Sequence, residues 1–452
     1  MNRLTSVFVV LVAAGLLHTS PVLSADEGAQ VTEEIVVTAR FREESVQDIG
    51  ASIASMTSED FERKGINSIS ELSSLVPSLN IQERGPNRNE ISIRGIGRSL
   101  FQQDLTPAPP NIGVYFDDVP VNVVVGSQLD IRSLDLHRVE VVRGPQGTLY
   151  GEGAQGGAIR YFSNDPDFSD FSDFGLDLSV NANSVTDGST EYGGTVTVNV
   201  PFADQAAALR LSMGRYAQDG WVDNSFDGGS NNNDYEATVF RGVLLFEPND
   251  NWRVRLSGHF EDFEQGSFIS VNPQDPDSRE FCCAGTSDNF VEEDSTILSA
   301  KVSYEFEKFT VESITSYYER NRERRVFDHF FTNNELVTTF FLDFFGASAA
   351  VFGGPFPIND PAVHSLNDFG WEQFSQEFRI VSNFEGRINF VAGAFYRDFE
   401  FDQTATTESD LFASELPFYL GNLAVRSWTW TGTKNRCRKP RSLSLKVSQL
   451  AS

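Results

Sequence analysis

Residues 252–260 read W-R-V-R-L-S-G-H-F: every second position, Trp252, Val254, Leu256, Gly258 and Phe260, is apolar or small, and Arg, Ser and His stand between them. A period of two puts the two sets on opposite faces of a β-strand. The pattern recurs on both sides of this stretch. Upstream it runs through Phe174, Leu176, Leu178 and Val180, through Gly194, Val196, Val198 and Val200, and through Leu209, Leu211 and Met213. Downstream it runs through Leu298, Ala300, Val302, Tyr304 and Phe306, through Phe374, Phe378 and Ile380, and through Ile388, Phe390, Ala392, Ala394 and Tyr396. There are about nine such segments, each close to the ~9–11 residues with which a tilted strand crosses a bilayer. The apolar face suits lipid; the other, with Arg, Glu, Asn, Thr and Ser, suits water.

A soluble β-sandwich would show the same alternation, so the connections have to discriminate. Those at "PFADQA", "EPNDN", "EK" and "NFEG" are short, whereas "AQDGWVDNSFDGGSNNNDYE", Glu261 to Asp294 and Arg320 to Glu372 are long, acidic and rich in aromatic residues. Past a first, shorter loop at Ser184–Ser189, short and long joins alternate strictly. Transmembrane barrels have that asymmetry between their two ends, and sandwiches do not. Residues 168–422 are therefore expected to be the N-terminal part of an antiparallel transmembrane β-barrel.

What precedes the barrel has a different grammar. Arg3, the apolar run Val7–Leu17 and a cleavage position after Ser24 or Ala25 read as an export signal over residues 1–25. The apolar run is shorter than the roughly 20 residues a membrane helix needs, and no later stretch approaches that length. Residues 47–167 read as a small mixed α/β domain. A helix starts at Thr57 or Ser58 and stops at Lys64-Gly65; a second, short helix carries Ile69, Leu72 and Leu75 and stops at Pro77. Strands follow in "EISIRGIG", "IGVYFDDVPV" and "VEVVRGP". Between signal and domain lies "TEEIVVTARF", Thr32–Phe41, a short β-branched strand candidate with no adjacent turn and partner.

The chain has 452 residues, with 64 acids against 35 Lys and Arg, and that balance excludes a nucleic-acid partner, which needs a concentrated basic surface. Its 3 cysteines cannot staple a fold of this size; Cys282 and Cys283 are adjacent in a polar loop, either paired with each other or without a role. The histidines are scattered, without metal-ligand spacing, and no nucleophile elbow or HExxH occurs, so neither cofactor nor catalysis is expected.

Taken together, "EEIVVTAR", "ISIRGIG", "VYFDDVPV" and "RVEVVRGPQGTLYGEGAQGGAIRYFSNDP" resemble the plug domain of TonB-dependent outer-membrane receptors, and the alternating segments resemble the barrel that follows it. The resemblance spans Thr32 to about Asn422. It implies an outer-membrane location with lipid around the barrel. It also implies a periplasmic segment (26–46) whose TonB box, Glu34, Ile35, Val36, Val37, Thr38 and Ala39, is gripped by a TonB-type coupling protein through strand addition. The implied activity is uptake of a scarce bulky ligand such as a ferric siderophore, with cobalamin, heme or carbohydrate as alternatives and ligand contacts unassigned. A passive structural or adhesive barrel and an outer-membrane hydrolase are the rival readings. In the plug the motif residues are Arg94, Gly95, Asp118, Arg143, Gly144, Gly147, Tyr150, Gly151, Gly156 and Gly157. The glycines are expected to serve tight turns and positive φ. Arg94 and Arg143 are expected to pair with carboxylates in the plug or on an acidic inner wall.

The last stretch, 423–452, departs from the rest: no acid follows Glu415, and from Leu423 onward seven residues are basic. It is expected to be either a genuine basic tail or a frameshift product, in which case the chain would be an inactive fragment of a receptor with about 22 strands.

Overall fold

The structure is a computed structural model; it describes residues 36–37, 44–45, 52–64, 70–83, 89–97, 110–122, 128–129, 131–150, 153–166, 174–184, 190–202, 206–220, 233–266, 270–271, 281–282, 289–327, 363–385, 388–409, 437–438 and 442–451.

The N-terminal half of the fold is built from short elements. Two-residue strands β1 (Val36–Val37) and β2 (Glu44–Ser45) pair with each other. Then come β3 (Ser52–Thr57), α1 (Ser58–Lys64), a 3₁₀ turn at Ser70–Ser74, β4 (Leu79–Glu83), β5 (Asn89–Ile93), β6 (Ile96–Gly97), β7 (Ile112–Phe116) and β8 (Val119–Pro120). β9 (Leu136–Arg143), a helical turn α2 (Gly147–Tyr150) and β10 (Gly157–Ser163) complete the plug. Helix α1 starts where expected, with Asp60 accepting from the Thr57 amide and hydroxyl at 3.2 and 3.3 Å. The second expected helix is only the 3₁₀ turn: Pro77 ends it too early for an α-helical hydrogen-bond run to grow. The main sheet has the order β3-β9-β10-β7-β8, parallel only between β10 and β7, and β4-β5-β6 form a smaller one.

The second half is one antiparallel wall: β11 (Gly175–Ser184), β12 (Thr190–Phe202), β13 (Ala207–Gln218), β14 (Tyr235–Asn249) and β15 (Trp252–Gln265) in sequence order. Two-residue strands β16 (Ser270–Val271) and β17 (Phe281–Cys282) pair separately. The wall resumes with β18 (Phe290–Glu305), β19 (Phe309–Phe327), β20 (Val363–Ser382) and β21 (Ile388–Ser409). These nine strands are an incomplete barrel: among the described residues β11 has β12 as its one neighbour. The other edge, β21, is covered by β22 (Cys437–Arg438) and β23 (Ser442–Ala451). Part of the stretch read as an alien tail is thus laid down as strand.

Alternation means what the sequence suggested. Met213, Phe240, Leu256, Phe260, Leu298, Phe374 and Phe378 stand on the outward rows, each 40–56% exposed, as a lipid-facing surface requires. The short joins are all at one end, where Trp252, Tyr304, Phe306 and Phe309 make a chain of ring contacts at 4.8, 4.5 and 4.5 Å. One expectation needs correction. The strands reach up to 22 residues in β21, and much of what was read as long loop, up to Gln265 and from Phe290, up to Phe327 and from Val363, is ladder. There the outward rows carry Asp262, Glu264, Glu292, Asp294, Glu319, Glu323, Asp368 and Glu372, so apolar alternation stops although pairing continues.

The plug core and the wall are continuous. Wall residues Ile297 and Tyr318 belong to the same buried cluster as plug residues Ile93, Val114, Phe116, Val139 and Ile159. Burial of these side chains against Ile297 and Tyr318 helps to seat the plug on the wall.

Candidate functional site

The contact between plug and wall carries the chemistry, and it begins with a turn. Asp117 and Asp118 join β7 to β8 with φ of 46° and 69°, Phe116 facing Val119 across the ladder. Positive φ at both central residues is the two-residue hairpin turn that matches strand twist, and aspartate tolerates it. The turn presents both carboxylates to the wall. Asp118 accepts from Lys301 of β18 at 3.2 Å and from Arg160 of β10 at 2.7 Å. Asp117 accepts from the Ser163 amide and hydroxyl at 2.9 and 2.6 Å and from Arg255 of β15 at 3.2 Å. Arg255 also gives Nε to Asp165 at 2.6 Å and Nη2 to the Ser163 hydroxyl at 2.6 Å.

A second cluster lies one strand pair away. Asp135, with φ 48°, receives both Nε and Nη2 of Arg210 at 2.8 and 2.6 Å and the hydroxyl of Ser212 at 2.6 Å, while Asn164 of the plug donates to it at 2.7 Å. A two-pronged guanidinium–carboxylate pair of this kind fixes orientation as well as charge. Arg241 of β14 donates to the Leu134 carbonyl and lies 4.8 Å over the Phe116 ring. In the opposite sense, plug Arg132 meets wall Glu261 at 3.4 Å beneath the rings of Tyr216, Tyr235 and Phe263. Gln373 of β20 donates to the Pro120 carbonyl at 2.8 Å.

Burial works against the charges of Asp118, Asp135 and Asp165, but their cations win. Lys301, Arg160 and Arg379 hold the Asp118 carboxyl far below its ordinary value. Arg210 with Ser212 and Asn164 lowers Asp135, and Arg255 with Arg253 lowers Asp165.

The wall's register arranges its cations in order. Inward positions recur every second residue, and successive inward rows of the ladder hold Arg379, then Arg255 opposite Lys301, then Arg210, Arg241, Arg320, Arg322 and Arg324. Every row from Arg379 to Arg324 carries at least one, over about 40 Å of strand at ~3.3 Å per residue.

The motif residues read from sequence fall into three groups. Asp118 is in the seam, as described, and Tyr150 is buried beside it. The Tyr150 carbonyl accepts from the Tyr115 hydroxyl at 2.6 Å, and burial, then Glu140 and Asp118 against Arg160, pushes its own hydroxyl up to about 12. Glycines 144 and 157 have φ of 104° and 149°, and a Cβ on Gly157 would stand 2.3 Å from the Val142 carbonyl oxygen. Gly95 shares the β5–β6 turn with Arg94 at φ 77° and 53°, and Gly156 packs on Ile112. Gly147 needs neither positive φ nor close approach, contrary to expectation, because it merely opens α2; Gly151 lies outside the described residues.

Arg94 and Arg143 are the main correction. Among the described residues neither meets a carboxylate; Arg143 Nη1 donates to the Pro77 carbonyl at 3.3 Å, and the Arg94 amide donates to the Ser78 carbonyl at 2.9 Å. The expected polarity is reversed, since the inner wall is cationic and the plug supplies the acids. Of the expected TonB box, Val36 and Val37 are paired with Ser45 and Glu44, so the segment is not without an internal partner; Glu34, Ile35, Thr38 and Ala39 lie outside the described residues. Sequence reading missed Asp117, Asp135, Asp165, Arg210, Arg255 and Lys301. The last three were available in principle, because each falls on the non-lipid register of its strand.

Comparison with known proteins gives this arrangement its place. The TonB-dependent Receptor Plug Domain family matches residues 45–158. Residues 45–158 are thus a plug domain of this kind. The pesticin receptor of Yersinia pestis is 32% identical to the chain over 163 residues, 34% of this chain and 22% of that protein. The iron-regulated outer membrane virulence protein of Vibrio cholerae is 29% identical over 155 residues, 33% of this chain and 22% of that protein. In fold, the plug with its wall is similar to the ferric yersiniabactin uptake receptor FyuA from Yersinia pestis, with TM-score 0.61 at 19% identity, covering 79% of this chain and 50% of that one. The chain thus spans about half the length of that solved receptor, and its match about a fifth of the curated relatives. The Yersinia relative is named as a receptor and the Vibrio relative as an outer membrane protein, and the plug match together with the apolar outward face of the wall fits an outer-membrane location.

Proposed function

We propose that the receptor to which these residues belong takes up a ferric siderophore across the outer membrane, driven by a TonB-type protein that grips Glu34–Ala39. The observation carrying this reading is how the plug is held: Asp117, Asp118, Asp135 and Asp165 reach the wall through side-chain ion pairs. Such contacts are strong in place, yet each can be exchanged for water or ligand as a unit, which a movable stopper requires and a permanent one does not. The β1–β2 ladder has two rungs, a small obstacle to strand addition by a partner.

In the full-length receptor, Val37→Pro or Ile35→Pro removes a backbone donor from the added strand and is expected to abolish radio-iron uptake while ligand binding at the cell surface stays intact. Unchanged uptake would reject the coupling role.

A further inference from the structure

The inner wall carries a cation on every row, but its carboxylates are unevenly placed. Glu312 and Glu377 serve the lowest rows, and Glu261 and Glu293 the rows of Arg320 and Arg322. Between them, the Arg210 row continues through Val243, Ser257, Ser299 and Ser316, and the Arg241 row through His259 and Ile297. From β13 to β19 this middle stretch has no carboxylate on its inward face, Asp177 of the edge strand β11 being the one described on these rows, and it is Asp135 of the plug that meets Arg210. Just below, Asp117 and Asp165 meet Arg255, and Asp118 meets Lys301.

Any shift of the plug large enough to open a path therefore withdraws aspartates from Arg210, Arg255 and Lys301; Lys301 keeps Glu312 of β19 at 3.0 Å, whereas Arg255 loses both Asp117 and Asp165. Cations left facing a narrow, low-dielectric space are costly until an anion joins them. A cleft lined by one sign of charge also concentrates the opposite sign. We propose, resting on the uptake inferred above, that the cations which hold the plug at rest are the passage contacts during transport, and that the transported chelate bears net negative charge. Ferric complexes of catecholate, phenolate or carboxylate donors fit; a neutral chelate of the same size would not replace the aspartates withdrawn from Arg255.

The test compares radio-iron uptake from a trianionic ferric tris-catecholate and a neutral ferric tris-hydroxamate by cells whose sole receptor of this class is the full-length protein. The anionic chelate is expected to enter about tenfold faster. Two double variants cut the same contacts from opposite sides. Arg255→Gln with Lys301→Gln removes the wall cations and is expected to erase the preference; Asp117→Asn with Asp118→Asn loosens the plug but leaves the cations and keeps the preference. Limited proteolysis of the plug reports that both are equally loosened, and Arg255→Lys with Lys301→Arg, which retains both charges, restores the preference. Equal entry of the two chelates, or the same loss of preference in both double variants, overturns the cationic passage and leaves uptake standing. Entry of neither chelate overturns the uptake reading and this inference with it.

Discussion

Asp135 condenses the seam into one residue. It sits in a left-handed backbone conformation, takes a two-pronged contact from Arg210, and is steadied by Asn164 and Ser212. Its carboxyl, like those of Asp118 and Asp165, is held below the ordinary range. A group whose pKa is depressed in the folded state stabilises above its unfolded value, about 3.9 for aspartate, and loses that contribution as pH falls through the folded value. Plug attachment is thus expected to be constant from neutral pH to about 4.5 and to weaken below about pH 4, as read by hydrogen exchange of residues 110–122 and 131–137. Asp135→Asn should cost roughly 2–5 kcal/mol, because it takes the two-pronged carboxylate away from a mostly enclosed guanidinium, and should flatten part of that acid limb. Gly157 makes a steric point. With φ 149° and a backbone oxygen 2.3 Å from where a Cβ would sit, Gly157→Ala must push β10 off β9. A loss of about 1–3 kcal/mol is expected in denaturant unfolding of the plug.

At the scale of elements, β15 shows what could be read in advance and what could not. Its lower part alternates because one face meets lipid, and those residues gave both strand and orientation. Its upper part, through Asp262 and Glu264, stays in the ladder, but its outward face meets water, so the apolar signal vanishes. Apolar alternation reports lipid contact, whereas backbone pairing goes on without it. The same distinction explains the tail: "SLSLKVSQLA" is polar enough to look foreign, yet its register sets Leu443, Leu445 and Val447 opposite Tyr396, Ala394 and Ala392 of β21. The seam was less legible because partners such as Arg255 and Asp117 are separated by 138 residues in sequence, and no local pattern announces a pair at that distance. The outward rows from Trp252 to Phe260 also locate the bilayer. Leu256, midway, is expected to tolerate Arg poorly, at about 2–4 kcal/mol, while Asp262→Arg above the apolar band should cost about 0–1 kcal/mol. Unfolding of each variant from lipid vesicles measures the difference.

For the whole molecule, charge is sorted by surface. The net charge of −29 coexists with a cationic inner wall because acids crowd the outward rows above the lipid band and aspartates of the plug meet the wall from inside. Screening acts on exposed charges far more than on enclosed ones. Raising salt to about 1 M should therefore leave the protease resistance of the plug nearly unchanged, whereas acid should reduce it; release by salt alone would mean that water reaches the seam.

The order β3-β9-β10-β7-β8 has a mechanical consequence. Past the two-rung β1–β2 ladder, a pull on the chain ahead of Ser52 arrives at β3, an edge strand held by six paired residues to β9, while Asp117 and Asp118 hang from the far side of the sheet and Asp135 stands at the head of β9. Tension would strip that edge rung by rung, from Ser52 opposite Arg143, before any load reached β7 or β10. The stopper would yield as a zipper opens, leaving a half-anchored remnant that can refold in place when the force ends.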